Sequence, residues 1–368
     1  MKTNNKYLYS ILILLITFAT HSCAQDELPK HGLKERLVKI AEQEHFPNLS
    51  VRIQSPKFNL LFDYKSKDNG IKDIQNYGVA STTKLMAAVL ILKQIEDGKL
   101  GLDDFVSKYA DANEFTKIEW FNSITIRNLL DHTSGIADYT KNPTFMELVM
   151  QGKGPKTLQE KINLIDQKLT STPFGKHAYS NSNYILLEKV IEKISGKNAQ
   201  FVFNQFYGSL SLKNIQISDE EDRNQAFYAA NVNQVGNVSG WQEYYGYDGG
   251  AFANASDVES FLKKLFIEKS ILSQASLDFL MQWIDVGPNI INYGFAQMNA
   301  YGLGLMQYQF GNNTWIGHAG SSLKYQCFAF FDPSCGATIV LQTNASGRHY
   351  NNAFFIALLK EITNELIN

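Results

Sequence analysis

The chain reads as an α+β fold. One antiparallel sheet is built from strands near both ends of the sequence and flanked by helices, with a mostly helical lobe inserted between them. Three observations point there. Strand-like runs bounded by turn residues lie at Leu49–Gln54 and Phe58–Tyr64, joined by Ser55-Pro56-Lys57. Four more, Leu303–Phe310, Thr314–Gly317, Tyr325–Phe331 and Ala337–Thr343, are separated by Gly, Asn and Asp-Pro signals. From about residue 100 to 247 the chain is mostly helix and loop. A cleft between sheet and lobe is a natural ligand site.

The elements follow in order. Lys2 and Lys6 precede an apolar run, Ile11 to Ala19, too short to span a bilayer comfortably, so residues 1–23 read as a signal peptide. Thr20-His21-Ser22-Cys23 loosely matches a lipobox, which makes Cys23 a lipidation candidate, although the usual aliphatic residue is missing; Ser22-Cys23-Ala24 also fits simple cleavage. Lipidation is the favoured expectation. Either route takes the protein out of the cytoplasm, to the periplasm or cell envelope of a bacterium, with a membrane contact through the lipid anchor. Residues 30–368 form the remaining domain. His31–Glu44 has helical periodicity through Leu33, Leu37, Ile40 and Ala41. Leu85–Ile95 is almost wholly apolar and ends at Asp97-Gly98, the pattern of a buried helix with a glycine stop. Leu158–Leu169, Tyr184–Ile194, Ala255–Phe266 and Ser273–Trp283 are further helices, and an amphipathic helix from about Asn352 to Leu366 ends the chain.

Composition narrows the function. The 368 residues are 44% hydrophobic and 19% charged with a formal net charge of -2, and no basic run supports a nucleic-acid partner. The seven His and three Cys show no metal-ligand spacing. Cys327 sits down a strand from the turn that holds Cys335, beyond the reach of a disulfide, and both read as unpaired.

Chemistry is suggested first by Ser81 and Lys84 in Gly78-Val79-Ala80-Ser81-Thr82-Thr83-Lys84. Residues three apart share a helix face. A lysine buried there loses solvation, its pKa falls, and the neutral amine can take the serine proton. The plainer alternative is a helix cap with a solvated lysine. The same spacing recurs at Ser321-Ser322-Leu323-Lys324, but a strand-like run follows it rather than a helix. Tyr179-Ser180-Asn181 lies in a loop just before a helix. There the phenol can relay protons if a nearby lysine lowers its pKa, and the amide can donate to a substrate carbonyl. In Gly317-His318-Ala319-Gly320, His318 can supply a positive or hydrogen-bonding group. Ala319 and Gly320 are small enough for a ligand to pack on the strand edge. Each of these sites alone also suits a structural role.

Taken together and in this order, the motifs resemble the serine β-lactamase and penicillin-recognising hydrolases, in the branch holding class C β-lactamases, D-Ala-D-Ala carboxypeptidases and related esterases (peptidase S12-like). That branch uses Ser-x-x-Lys, Tyr-x-Asn and a Lys- or His-x-Gly triplet. Leu129-Leu130-Asp131-His132-Thr133-Ser134-Gly135, Gly249-Gly250-Ala251 and Tyr301-Gly302-Leu303-Gly304 are similar to further family segments. His132 is taken as structural. The resemblance implies a β-lactamase/transpeptidase-like fold and no cofactor. It makes Ser81 the acylated nucleophile, Lys84 its base and Tyr179 a proton relay. It assigns the acyl side chain to Asn181, electrostatic support or carboxylate binding to His318, and the oxyanion donors to the backbone N–H groups of Ser81 and Ser321.

Ala319 departs from the usual Lys-Thr-Gly by lacking a hydroxyl, which weakens the case for an efficient β-lactamase. Trp241, Tyr244, Tyr245 and Tyr247 are candidates either for the acyl pocket or for the core. The expectation is therefore an exported acyl-enzyme hydrolase. A peptidase or amidase of the D-Ala-D-Ala carboxypeptidase type ranks ahead of an esterase or weak β-lactamase, and a non-catalytic penicillin-binding or regulatory relative is the alternative. Its partner is a small-molecule or peptide acyl donor.

Overall fold

The computed structural model describes residues 32–68, 70–217, 226–229, 235–239, 246–287, 296–310, 312–347 and 357–367. The signal segment, Cys23, Trp241, Tyr244 and Tyr245 lie outside them. In chain order the strands are β1 Asn48–Gln54, β2 Asn59–Lys65, β3 Tyr77–Gly78, β4 Gln216–Ile217, β5 Phe227–Ala229, β6 Val235–Asn237 and β7 Ala251–Ala253. They continue with β8 Ile284–Asp285, β9 Ala296–Tyr301, β10 Met306–Phe310, β11 Asn313–Ser321, β12 Gln326–Asp332, β13 Ala337–Thr343 and β14 Ala345–Ser346. The helices are α1 Leu33–Gln43, α2 Thr83–Glu96, α3 Ile126–Leu130, α4 Pro143–Met150 and α5 Leu158–Asn163. After them come α6 Ser182–Ser195, α7 Ala199–Ser209, α8 Ala255–Leu262, α9 Gln274–Leu280 and α10 Leu359–Ile367.

The main sheet runs β2-β1-β13-β12-β11-β10-β9-β8, antiparallel throughout. The N-terminal pair joins the C-terminal strands through β1 and β13, with Val51 opposite Leu341 and Ile53 opposite Ile339. β12 and β13 are buried along their whole length. Phe328, Phe330, Ile339 and Leu341 face a core shared with α1 and α10, whereas Cys327, Ala329, Phe331 and Val340 face a core shared with α2, α8 and the lobe. Coverage on both faces explains why these strands read as unbroken apolar runs rather than alternating ones.

Several boundaries differ from the sequence reading. Leu303–Phe310 is half turn: Leu303 N–H donates to Leu280 O and Gly304 N–H to Leu130 O, so the strand starts at Met306. β11 runs on through the His-Ala-Gly triplet instead of stopping before it. Leu158–Leu169 breaks into α5 and a 3-10 turn at Gln167–Leu169, and Ala255–Phe266 passes from α8 into a π-helical turn at Lys263–Ile267. Two small three-stranded sheets, β3-β7-β4 and β14-β5-β6, join short strands of the lobe to segments outside it. Cys327 is buried, and neither Cys327 nor Cys335 is in a disulfide.

Candidate active site

β3 leads into a 3-10 turn, Ala80–Thr82, which passes directly into α2. Ala80 takes a left-handed φ of 46°, an unfavourable conformation for a residue with a Cβ. Its surroundings hold it there. Val79 N–H donates to Ala251 O (2.9 Å), and Thr83 Oγ1 donates to Ala80 O (2.7 Å) while accepting from Ala251 N (3.0 Å). Every residue from Leu85 to Leu92 is fully buried, so α2 is apolar all round and fixed against the sheet. Ser81 therefore stands on a rigid turn at the head of a core helix, and Lys84 one turn later is completely shielded from solvent.

Lys84 Nζ lies 3.1 Å from Ser81 Oγ and 2.7 Å from Asn181 Oδ1, and it also donates to the backbone carbonyl of Asp248. Burial pushes its pKa down to about 8; Asp248 and Asp138 oppose the shift and Lys161 adds to it. The contacts fix where the lone pair of the neutral amine points. Asn181 Nδ2 faces both oxygens of Asp138 (3.2 and 3.0 Å), so Oδ1 must be the atom turned to Lys84. That oxygen and the Asp248 carbonyl can only accept. They use both hydrogens of a neutral amine, and the lone pair is left for the Ser81 O–H. Sequence reasoning gave Asn181 to the acyl side chain. Its amide is instead engaged at both ends, holding Lys84 to Asp138.

Tyr179 is placed by the Leu129–Gly135 segment. Ala178 N–H donates to His132 O (2.9 Å), Ser180 N–H donates to His132 Nδ1 (3.2 Å), and the two rings pack 4.3 Å apart. This is the structural part expected of His132. The Tyr179 hydroxyl is buried without a hydrogen-bond partner among the described residues, and Lys84 Nζ lies 5.1 Å from its ring centre. Burial drives its pKa upward, and the Ser81 hydroxyl opposes the shift. Lys84 is not among the groups that shift it, and Tyr179 stays a neutral phenol.

His318 needs a larger correction. It is fully buried, and burial together with the nearby charge of Lys84 lowers its pKa to about 3. It carries no charge at neutral pH and is not open to a substrate carboxylate. Its hydrogen bonds form a chain of defined direction. His132 Nδ1 accepts from Ser180 N–H and Asn183 Nδ2, so His132 Nε2–H donates to Tyr301 Oη (3.2 Å). Tyr301 then donates to His318 Nε2 (3.0 Å), and His318 Nδ1–H donates to Ala319 O (2.7 Å). The imidazole braces β11.

Gly320 also has a different reason from the one expected. A Cβ there would stand 2.1 Å from Val79 O and 2.9 Å from Ser81 N, so the glycine permits contact between β11 and the Ser81 turn rather than room for a ligand. Thr82 Oγ1 donates to His318 O (3.2 Å) across the same contact. Ser321 ends β11 and is exposed, and residues 322–325 form the turn to β12, with Ser322 N–H donating to Tyr325 O. The second Ser-x-x-Lys is therefore a strand end and a turn. Tyr247 belongs to the core, its hydroxyl donating to Ala199 O (2.8 Å).

Sequence reasoning missed Asp138, Tyr139, Lys161 and Asp248 and gave no role to Tyr301. Lys161 Nζ and Asp248 Oδ1 form a buried ion pair at 2.6 Å, and Tyr139 Oη donates to Asp248 Oδ2 (2.6 Å). The only local signals were Asp138 just past the Leu129–Gly135 motif and Asp248 directly before Gly249-Gly250. No group of three or more His, Cys, Asp or Glu among the described residues is arranged to hold a metal ion.

A family model described as Beta-lactamase matches residues 70–359, and the chain belongs to that family. Teichoic acid D-alanine hydrolase of Staphylococcus aureus is 26% identical over 172 residues, which cover 45% of this chain and 39% of that protein. The chain thus matches only about two fifths of that relative's length. Two solved structures share the fold. D-stereospecific amidohydrolase from Streptomyces sp. has a TM-score of 0.71 at 22% identity, covering 89% of this chain and 99% of its own. D-amino acid amidase from Ochrobactrum anthropi SV3, in complex with D-phenylalanine, has a TM-score of 0.73 at 18% identity, covering 91% of this chain and 99% of its own.

Proposed function

We propose that this member of the Beta-lactamase family, a serine hydrolase, acts through an acyl-enzyme on Ser81 and cleaves small amides or esters of D-amino acids whose leaving group carries no carboxylate. The observation that carries the reading is the Lys84 contact set, with its two obligate acceptors and a lone pair left for the Ser81 hydroxyl. Neutral Lys84 takes the Ser81 proton as Oγ attacks the carbonyl. The backbone N–H groups of Ser81 and Ser321 receive the oxyanion. Tyr179 gives its proton to the leaving nitrogen or oxygen as that bond breaks, and recovers one from protonated Lys84. Water then attacks the acyl carbonyl, losing its proton to the Lys84–Tyr179 pair, and the Ser81 oxygen leaves with a proton. The two phases share one coupled pair of groups.

The preference for a leaving group without a carboxylate rests on His318 and Ala319. The triplet that would bind an anion offers a neutral, buried imidazole and a methyl group. This favours the amidase side of the expected activities over the carboxypeptidase side, with esterase as the second reading. The D-amino acid as acyl part is taken from what the relatives' names share. Export belongs to the same proposal and rests on the pattern of residues 2–23; loss of labelled-lipid incorporation in Cys23→Ala would support the anchor.

The test is turnover of D-aminoacyl amides, D-aminoacyl p-nitrophenyl esters, D-Ala-D-Ala peptides and nitrocefin, with Ser81→Ala as control. Amide or ester turnover well above dipeptide and nitrocefin turnover is expected. Efficient release of terminal D-Ala, or nitrocefin turnover at resistance-enzyme rates, would overturn the substrate assignment.

A further inference from the structure

We propose that the buried Lys161–Asp248 ion pair, with Tyr139, is a positioning device that sets the protonation of Lys84, the two charges acting in opposite directions. The proposal rests on Ser81 and Lys84 being the acylating pair.

The geometry makes Asp248 a junction. Its main-chain carbonyl accepts from Lys84 Nζ, and its side chain accepts from Lys161 Nζ at Oδ1 and from Tyr139 Oη at Oδ2, both at 2.6 Å. Locking the carboxylate from two sides fixes the peptide whose oxygen takes one Lys84 hydrogen. Lys161 comes from α5, Tyr139 from the 3-10 turn Tyr139–Lys141, and Asp248 from the segment before β7, so three separate elements meet behind one amine. Lys161 is fully buried, with its ammonium 5.0 Å from the Tyr139 ring centre, and Asp248 is nearly so. A buried pair of this kind is weak evidence for stability, because desolvation of two ions offsets their attraction. Breaking one partner exposes the other's charge to whatever lies beside it, and here that neighbour is Lys84.

The other groups around Lys84 leave the pair as the adjustable element. Asp138 reaches it through Asn181. Tyr179 and Tyr184 present neutral rings with centroids 5.1 and 5.5 Å away. His132 and His318 are held uncharged by burial. With Lys161 offsetting Asp248, burial outweighs the two carboxylates at Lys84 and favours the free amine. Without Lys161, an unpaired carboxylate would hold the proton on Lys84. Without the Asp248 charge, the Lys161 ammonium would expel it.

The experiment is the pH dependence of Ser81 acylation by a fluorophosphonate, followed by intact-mass spectrometry on the full chain, for wild type, Lys161→Met, Asp248→Asn and Tyr139→Phe, with circular dichroism as the folding control. The acidic limb should move up by about one pH unit in Lys161→Met, a roughly tenfold slower acylation at pH 7, and down by about one unit in Asp248→Asn. Tyr139→Phe keeps the ion pair and should give a smaller upward shift. If Lys161→Met does not fold, the opposite shifts of Asp248→Asn and Tyr139→Phe decide. Acylation that weakens in every variant with its limb unmoved, or an Asp248→Asn limb that moves in the same direction as that of Lys161→Met or Tyr139→Phe, would overturn the proposal and leave the Ser81 reading intact. No acylation of Ser81 in folded wild type would overturn both.

Discussion

Two walls meet at Ser81, and they are built on different principles. The helical wall carries charge. Lys84, Asp138, Lys161 and Asp248 are joined behind Ser81 through Asn181 and the Asp248 main-chain carbonyl, with Tyr139 on the Asp248 carboxylate. The sheet wall is neutral, and its hydrogen bonds run one way from His132 through Tyr301 and His318 to Ala319. Both walls are buried and both contain a basic side chain, Lys84 in one and His318 in the other, yet only Lys84 titrates near neutrality. The difference is a matter of partners. Lys84 has anions within reach that oppose desolvation and stop its pKa at about 8, whereas His318 has none and falls to about 3. Chemistry falls to the helical wall and geometry to the sheet wall.

The sharpest way to break this division is Lys84→Met. It removes the base and should lower kcat/KM about a thousandfold with the fold retained, as read by steady-state kinetics and circular dichroism. Gly320→Ala attacks the seam between the walls. The new methyl meets Val79 O and Ser81 N, so thermal or urea denaturation should show a loss of about 1–3 kcal/mol, and acylation should slow even where the protein remains folded. Tyr301→Phe cuts the neutral chain in the middle, leaving a donor on His132 and an acceptor on His318 unsatisfied. The cost should be about 1–3 kcal/mol of stability, with the acidic limb of the rate profile in place, because no charge has changed.

A further effect separates the walls by pH. The unfolded chain protonates a histidine near pH 6.5, whereas folded His318 stays neutral to about pH 3. In that window the unfolded state binds more protons, so stability falls as pH drops from 6.5 towards 3, by about 1.4 kcal/mol per pH unit for this site, and the site contributes no slope above 6.5. Denaturation at several pH values should show that slope, reduced in His318→Asn.

Much of the helical wall was legible in the sequence. An apolar run ending in Asp97-Gly98 marks a core helix, and Ser81 and Lys84 sit at its head, so burial of the lysine followed from local pattern alone. The same pattern told Ser81 from Ser321, which ends a strand. Strands β1, β2, β12 and β13 were legible for a similar reason, since each is a continuous run with turn residues at its ends. What escaped depends on contacts between distant segments. Lys161 meets Asp248 across 87 positions, and nothing near Lys161 distinguishes it from a solvated helix lysine. The neutrality of His318 depends on depth, which the triplet does not encode. The glycine of that triplet looked like space for a ligand because the turn it touches, Val79–Thr82, is remote in sequence.

The most direct test of the Ser81–Lys84 pairing is to locate and time the fluorophosphonate adduct by tandem mass spectrometry between pH 6 and pH 10. A single adduct on Ser81 is expected. Its rate should rise about tenfold per pH unit until it levels near pH 8, where Lys84 loses its proton. An adduct on another residue, or a Ser81 rate indifferent to pH across that range, would contradict it.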